Sequence, residues 1–218
     1  MSSTPSWRRV LPALALLLAI VAALSFALFK TSTKPTLPGG AQQSAPASGF
    51  DGTLALPARQ APAIDLRNYL GRRVTLAGYR GKAVLVTFLY ANCPDVCPLI
   101  ASNLRVAQNL MSHAAAAKTA MIAVSVDPRG DTPKAVAAFL ARHEMTGRMQ
   151  YLVGSEKELA AAWKAWGVGS ERDAKQPQFV NHSGLIYGIT GSGKRMTIYA
   201  ANFQPSDIAH DAPLLAAR

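Results

Sequence analysis

The chain has 218 residues, half of them hydrophobic, and a formal net charge of +11 from 23 Lys and Arg against 12 Asp and Glu. The basic residues are scattered with no run of five or more, which argues against a nucleic-acid partner and for a solvated basic surface suited to an acidic partner or anionic lipid. Only two cysteines, Cys93 and Cys97, stand in one short motif, which argues against a disulfide-stapled scaffold.

Trp7, Arg8 and Arg9 precede an uncharged stretch of 20 residues, 10–29 (VLPALALLLAIVAALSFALF). At about 1.5 Å per residue such a helix spans a hydrocarbon core of about 30 Å. The two arginines place residues 1–9 in the cytoplasm and export everything that follows. The apolar run continues past Ala23-Leu24-Ser25, so the stretch reads as an uncleaved, single-pass signal anchor in the cytoplasmic membrane. Residues 30–49, rich in Pro, Gly, Ser, Thr and Gln, bury no core and read as a flexible tether. Residues 50–218 then form one extracytoplasmic domain, long enough to build a core.

Within that domain, residues 50–56 and 63–76 read as an extension with short strands, turning at Gly52 and Gly71. Residues 83–90 (AVLVTFLY) suit a strand covered on both faces, as in parallel or mixed sheets. An amphipathic helix is predicted over 99–111 and a second buried strand over 120–126 (AMIAVSV), ending in Asp127-Pro128. Asp131-Thr132-Pro133 starts a helix that runs to about His143. Residues 149–153 make a third strand. Ser155 and Glu158 form a capping box for a helix that carries Leu159, Trp163 and Trp166 and stops at Gly167. Residues 179–190 and 195–200 flank GSGK as a β-hairpin, and 205–216 close the chain as a helix. This order describes a thioredoxin-like α/β sandwich, a central mixed sheet flanked by helices.

The chemistry concentrates in residues 90–100, YANCPDVCPLI, at the junction of the first central strand and its helix. Pro98 suits the first helical turn, where a missing N–H is harmless. The positive end of the helix favours thiolate over thiol. The C-x-x-x-C spacing allows a disulfide or a shared metal ion, and two thiolates alone are an incomplete site for most metals. His113 and His143 lie at helix ends, where a cation suits the dipole, and His210 falls on the closing helix as a surface residue. His182 differs: it sits where a loop meets a strand that packs near the cysteine loop in such a sheet, so it is the candidate third ligand. A redox pair and a purely structural disulfide remain open beside a metal site.

FLYANCPDVCP resembles the C-P-D-x-C-P signature of the Sco/SenC family. VSVDPRGDTP resembles its strand and D-P-x-x-D-T-P segment, and VNHSGLIY its histidine strand. The likeness runs from about Phe50 to the C-terminus. It implies a membrane-tethered, thioredoxin-like copper binder that takes one copper per chain, as Cu(I), Cu(II) or both, through Cys93, Cys97 and His182. It also implies a role in assembling the copper centre of cytochrome c oxidase subunit II, with a copper donor protein upstream. Asp127 matches an acidic residue beside the site that orients or tunes the ligands. Two departures bear on the partner: Gly130 stands where the family often carries arginine, with Arg129 one position earlier, and Asn181 stands where an acidic residue commonly precedes the histidine. The rival function is a thiol–disulfide oxidoreductase that reduces partner cysteines and never holds metal.

Overall fold

The computed structural model describes residues 49–52, 54–176 and 180–218. Residues 1–48, with the predicted membrane helix and nearly all of the tether, lie outside the described residues. Among the described residues no helix is long and apolar enough to cross a membrane. Three short strands open the domain: β1 (Leu54–Gln60), β2 (Asp65–Asn68) and β3 (Arg73–Thr75). There follow β4 (Ala83–Leu89), α1 (Val96–Leu110), a single turn α2 (His113–Ala117) and β5 (Thr119–Ser125). After these come α3 (Pro133–Arg142), β6 (Met149–Val153), α4 (Glu156–Trp166) and β7 (Ser170–Arg172). The chain ends with β8 (Val180–His182), β9 (Ile186–Ile189), β10 (Lys194–Tyr199) and α5 (Pro205–Ala216).

Eight strands form one mixed sheet in the order β1-β10-β9-β4-β5-β6-β2-β3. Strands β4, β5 and β6 run parallel, and β9 pairs antiparallel with the other edge of β4. All seven residues of β4 are buried, as a central strand requires, and its one polar side chain, Thr87, donates to the Leu185 carbonyl at 3.0 Å. Phe88 of β4 meets Trp166 at 6.0 Å and Tyr187 at 6.3 Å between ring centroids, so α4 and β9 share one aromatic cluster with the sheet centre. Fully burying such a side chain stabilises the fold by about 1.5–3 kcal/mol. On α1 the buried residues Cys97, Ile100, Ala101, Leu104 and Ala107 recur at helical spacing. Cys97 is therefore the first residue of the apolar stripe, which explains why that sulfur has no exposure at all.

Local signals set the helix ends. Thr132 accepts the Ala135 N–H at 3.2 Å, with Pro133 as the first helical residue. Ser155 and Glu158 form the reciprocal box predicted for α4. Gly167 ends α4 at φ +68°, a left-handed conformation in which a Cβ is penalised. At the start of the domain, the fully buried Asp211 of α5 accepts the N–H groups of Asp51 (2.8 Å) and Gly52 (2.9 Å) and the hydroxyl of Tyr199 (2.8 Å). His210 pairs with Asp51 and Asp211, so the closing helix grips the chain where the domain begins.

Three expectations change. The cysteine helix begins at Val96 rather than Leu99, which brings Cys97 into its first turn. The segment at His182 is not the first strand of the hairpin: β8 leaves the main sheet and pairs with β7, and the hairpin is β9–β10. His113 opens α2 rather than ending a helix.

Candidate metal centre

The cysteine loop is held from both ends. Strand β4 runs into Tyr90 and Ala91, both buried, and the chain then turns, with the Cys93 N–H donating to the Tyr90 carbonyl at 3.2 Å. The Ala91 N–H donates to Asp131 Oδ1 at 2.7 Å. On the far side, Asp95 occupies the N-cap of α1 without a side-chain hydrogen bond to the helix, so it leaves the first-turn N–H groups free for other acceptors. Pro98 is the third residue of α1, within the first turn as predicted.

Cys93 and Cys97 are both free thiols; Cys93 keeps 8% exposure and Cys97 none. Cys93 lies outside the helix and Cys97 inside it, and each thiol weighs on the other's ionisation. The neighbouring Cys97 thiol, assisted by the N–H groups of Asp95 and Cys97, draws the Cys93 thiol down to about 6. Cys97 moves the opposite way: the neighbouring Cys93, burial and the charge of Asp131 oppose its ionisation. At neutral pH the pair is one thiolate and one thiol. Ionising both sulfurs without a cation is unfavourable, and a soft cation between them removes that penalty.

His182 ends β8. Its partner across the ribbon, Ser170, donates through its hydroxyl to the Val126 carbonyl at 2.9 Å and so ties the ribbon to the end of β5. The ring presents Nδ1 to the Ser183 carbonyl at 3.2 Å, which assigns the proton to Nδ1. The Nε2 lone pair then faces Cys97 Sγ at 3.8 Å. Burial pushes the imidazole below its ordinary range, which keeps it neutral and able to ligate. With bonds of about 2.3 Å to sulfur and 2.0 Å to imidazole nitrogen, one ion joining these two atoms at roughly 120° spans close to that distance. The two thiols and the imidazole do not all lie within 4.8 Å of one another: among the described residues, the one His/Cys/Asp/Glu trio that does is Asp51, His210 and Asp211. Two thiolates and one neutral imidazole are a donor set that suits soft or borderline ions, Cu(I) and zinc among them, and still permits Cu(II). A cavity of about 500 Å³ lined by Tyr90, Cys93, Val96, Asn181 and His182 opens onto the group.

Asp127 lies just past β5, 4% exposed, with Oδ1 accepting the N–H groups of Arg129 (3.3 Å) and Gly130 (3.0 Å). A Cβ at position 130 would stand 2.2 Å from Asp127 Oδ2 and 3.3 Å from Asn92 Nδ2, so glycine there lets the aspartate approach the residue preceding Cys93. Sequence reasoning passed over Asp131. Thr132 does the capping, and Asp131 turns inward to accept Ala91 N–H, the Ser125 hydroxyl at 2.6 Å and the Tyr151 hydroxyl at 2.9 Å. The available signal was an aspartate beside a cap residue that already sufficed for the helix.

The SCO1/SenC family model matches residues 55–215. The human mitochondrial protein SCO1 homolog is 26% identical over 149 residues, which are 66% of this chain and 49% of that protein, so the match spans about half the length of that relative. The copper-bound ScoI of Bradyrhizobium japonicum is 26% identical, with a TM-score of 0.60 over 72% of this chain and 99% of that one. Apo Sco1 from Thermus thermophilus, 24% identical, superposes with a TM-score of 0.65 over 78% of this chain and 97% of that one, and shares the thioredoxin-like fold.

Proposed function

The chain belongs to the SCO1/SenC family, and from that premise we propose that it is a membrane-anchored copper chaperone for cytochrome c oxidase. It binds one copper per chain through Cys93, Cys97 and His182 and helps assemble the copper centre of oxidase subunit II, after loading by a copper donor protein. The observation that carries this reading is the approach of His182 Nε2 to within 3.8 Å of Cys97 Sγ beside a second free thiol. Dithiol exchange does not need an imidazole at that place, whereas a three-coordinate copper site does.

In this account Cys93 supplies the first thiolate, and Cys97 gives up its proton as the ion arrives. His182 offers Nε2 without losing a proton, because Nδ1 holds it against the Ser183 carbonyl. Copper affinity therefore rises with pH. Asp127 supports the site at one remove, by holding the Arg129–Gly130 turn against Asn92. Residues 10–29 anchor the chain in the cytoplasmic membrane, residues 30–49 tether it, and the domain from residue 50 stands on the extracytoplasmic face. The anchor raises its effective concentration at a membrane-bound acceptor.

A second reading draws on the Cys93 thiol, held at about 6 beside Cys97. It is a thiol–disulfide reductase: the Cys93 thiolate attacks a partner disulfide, and Cys97 resolves the mixed disulfide, so this pair loses two electrons and the partner gains them. Titration of the reduced full chain in detergent with Cu(I) against a competing chelator separates the two. The copper reading expects one ion per chain, no binding after Cys93→Ser or Cys97→Ser, and binding weakened at least tenfold after His182→Ala. Unchanged affinity in His182→Ala removes the histidine and leaves the reductase.

A further inference from the structure

We infer that the end of the domain opposite the cysteines is a docking surface for an anionic phospholipid bilayer. Strand β4 sets the two ends apart: Ala83 opens it and the cysteine loop follows Leu89, across seven residues that rise about 3.3 Å each. Four exposed cations gather at the Ala83 end. Arg80 and Lys82 lead into β4, and the Gly81 N–H between them donates to the Gly191 carbonyl at 2.9 Å. Gly191 stands in the turn between β9 and β10, and Lys194 opens β10 just past it. The Arg80 guanidinium lies across Gly193 of that turn. The Ala83 N–H donates to the Lys118 carbonyl at 2.9 Å, which brings the fourth cation alongside. Among the described residues none of the four is ion-paired.

The neighbours leave this charge unanswered. Asp65 shares a cavity with Arg80, but Arg73 holds its carboxylate through two hydrogen bonds. Arg59 and Arg195 face each other across β1 and β10, a like-charge pairing that costs stability unless an anion lies against it. The cysteine end is mixed in sign instead: Asp95 and Asp173 line the cavity at Cys93, and the cations Arg129 and Lys175 stand beside Asp127 and Asp173. An anionic surface therefore favours the Ala83 end and leaves the cysteines open to an acceptor. The occupant is a bilayer because the described chain starts at this end. The Arg218 carbonyl accepts the Ser192 N–H at 3.0 Å, and its guanidinium, offset in charge by the carboxylate it carries, lies 4.6 Å from the ring centroid of the buried Phe50. The anchored reading of residues 10–29 supplies the bilayer, and the inference rests on that reading for nothing else. Attraction of Lys and Arg to anionic lipid fades within a screening length, about 10 Å at about 0.1 M salt.

The test is lysine acetylation of the full chain in nanodiscs, read by mass spectrometry, with acetic anhydride as an uncharged probe. The discs are phosphatidylcholine with or without phosphatidylglycerol. Lys134 and Lys157, exposed on the first turns of α3 and α4, serve as internal references. In discs with phosphatidylglycerol at about 0.1 M salt, Lys82, Lys118 and Lys194 react about fivefold more slowly than in plain discs, relative to the references. The difference disappears at about 1 M salt, where the screening length is about 3 Å. Lys82→Gln/Lys118→Gln, at two exposed positions, restores the rate at Lys194. Equal rates in the two discs overturn the inference and leave the basic end to an acidic protein. Slowing that survives high salt or the double variant overturns it too. If the chain does not enter discs, the anchored reading fails, and flotation with phosphatidylglycerol vesicles decides the surface. Retention at low salt that the double variant loses upholds it; no retention, or retention kept by the variant, overturns it.

Discussion

Asp131 offers the sharpest quantitative test of how the fold supports the cysteine loop. It is 5% exposed, and its carboxylate accepts three donors: the Ala91 N–H at 2.7 Å, the Ser125 hydroxyl at 2.6 Å and the Tyr151 hydroxyl at 2.9 Å. Burial outweighs these bonds and raises the group from 3.8 to about 6. A carboxyl whose folded value is raised adds stability that is fully present below 3.8 and is lost as pH climbs through about 6. At 1.36 kcal/mol per unit, the rise from 3.8 to about 6 amounts to about 3 kcal/mol. Asn at this position accepts the Ala91 N–H through its carbonyl and donates to the two hydroxyls, which rotate to suit. It never ionises. Unfolding free energies of wild type and Asp131→Asn, measured by urea titration across the acid-to-neutral range, should therefore diverge. The difference shifts in favour of Asn by about 3 kcal/mol between the two ends of that range, equivalent to roughly 6–12 °C in melting temperature for a domain of this size. Taking the difference cancels the other groups that titrate in that window. A difference that stays flat with pH, or drifts toward the wild type as pH rises, refutes the reasoning.

Other consequences are simpler. Iodoacetamide at neutral pH should label Cys93 at least tenfold faster than Cys97, since Cys93 is drawn to about 6 and Cys97 is fully buried and protonated; equal rates by tandem mass spectrometry would contradict the assignment. Asp211→Ala leaves the N–H groups of Asp51 and Gly52 and the Tyr199 hydroxyl without their acceptor. Urea unfolding should register a loss of about 3–5 kcal/mol, and a loss below about 1 kcal/mol would show that the grip on the start of the domain is marginal. Gly130→Ala drives a methyl to within 2.2 Å of Asp127 Oδ2, so stability should fall by about 1–3 kcal/mol; a neutral result would mean Asp127 moves freely and does not support Asn92.

Features with local causes could be read from the chain. The capping box at Ser155 and Glu158 and helix α5 at Pro205–Ala216 lie where the sequence puts them, because caps and prolines act within one helical turn. Strand β4 was recognisable because a short, largely apolar run rich in β-branched and aromatic residues suits a strand covered on both faces. The site was half visible. Proline-framed cysteines at a strand–helix junction announce their own chemistry, and few histidines compete for a third place. Features that depend on distant partners were hidden. Asp131 meets Ala91 across 40 residues of chain, and no local pattern separates that contact from a cap. The pairing of β8 with β7 rather than with the main sheet is a tertiary choice that hydrophobic alternation over three residues does not encode.

X-ray absorption at the copper edge, on the Cu(I)-loaded full chain and on His182→Ala, reaches the central claim most directly. The account predicts two sulfur scatterers and one imidazole in the wild type, with the imidazole signal gone and both sulfurs retained in the variant. Identical spectra from the two proteins, or a wild-type spectrum with sulfur alone, would contradict it.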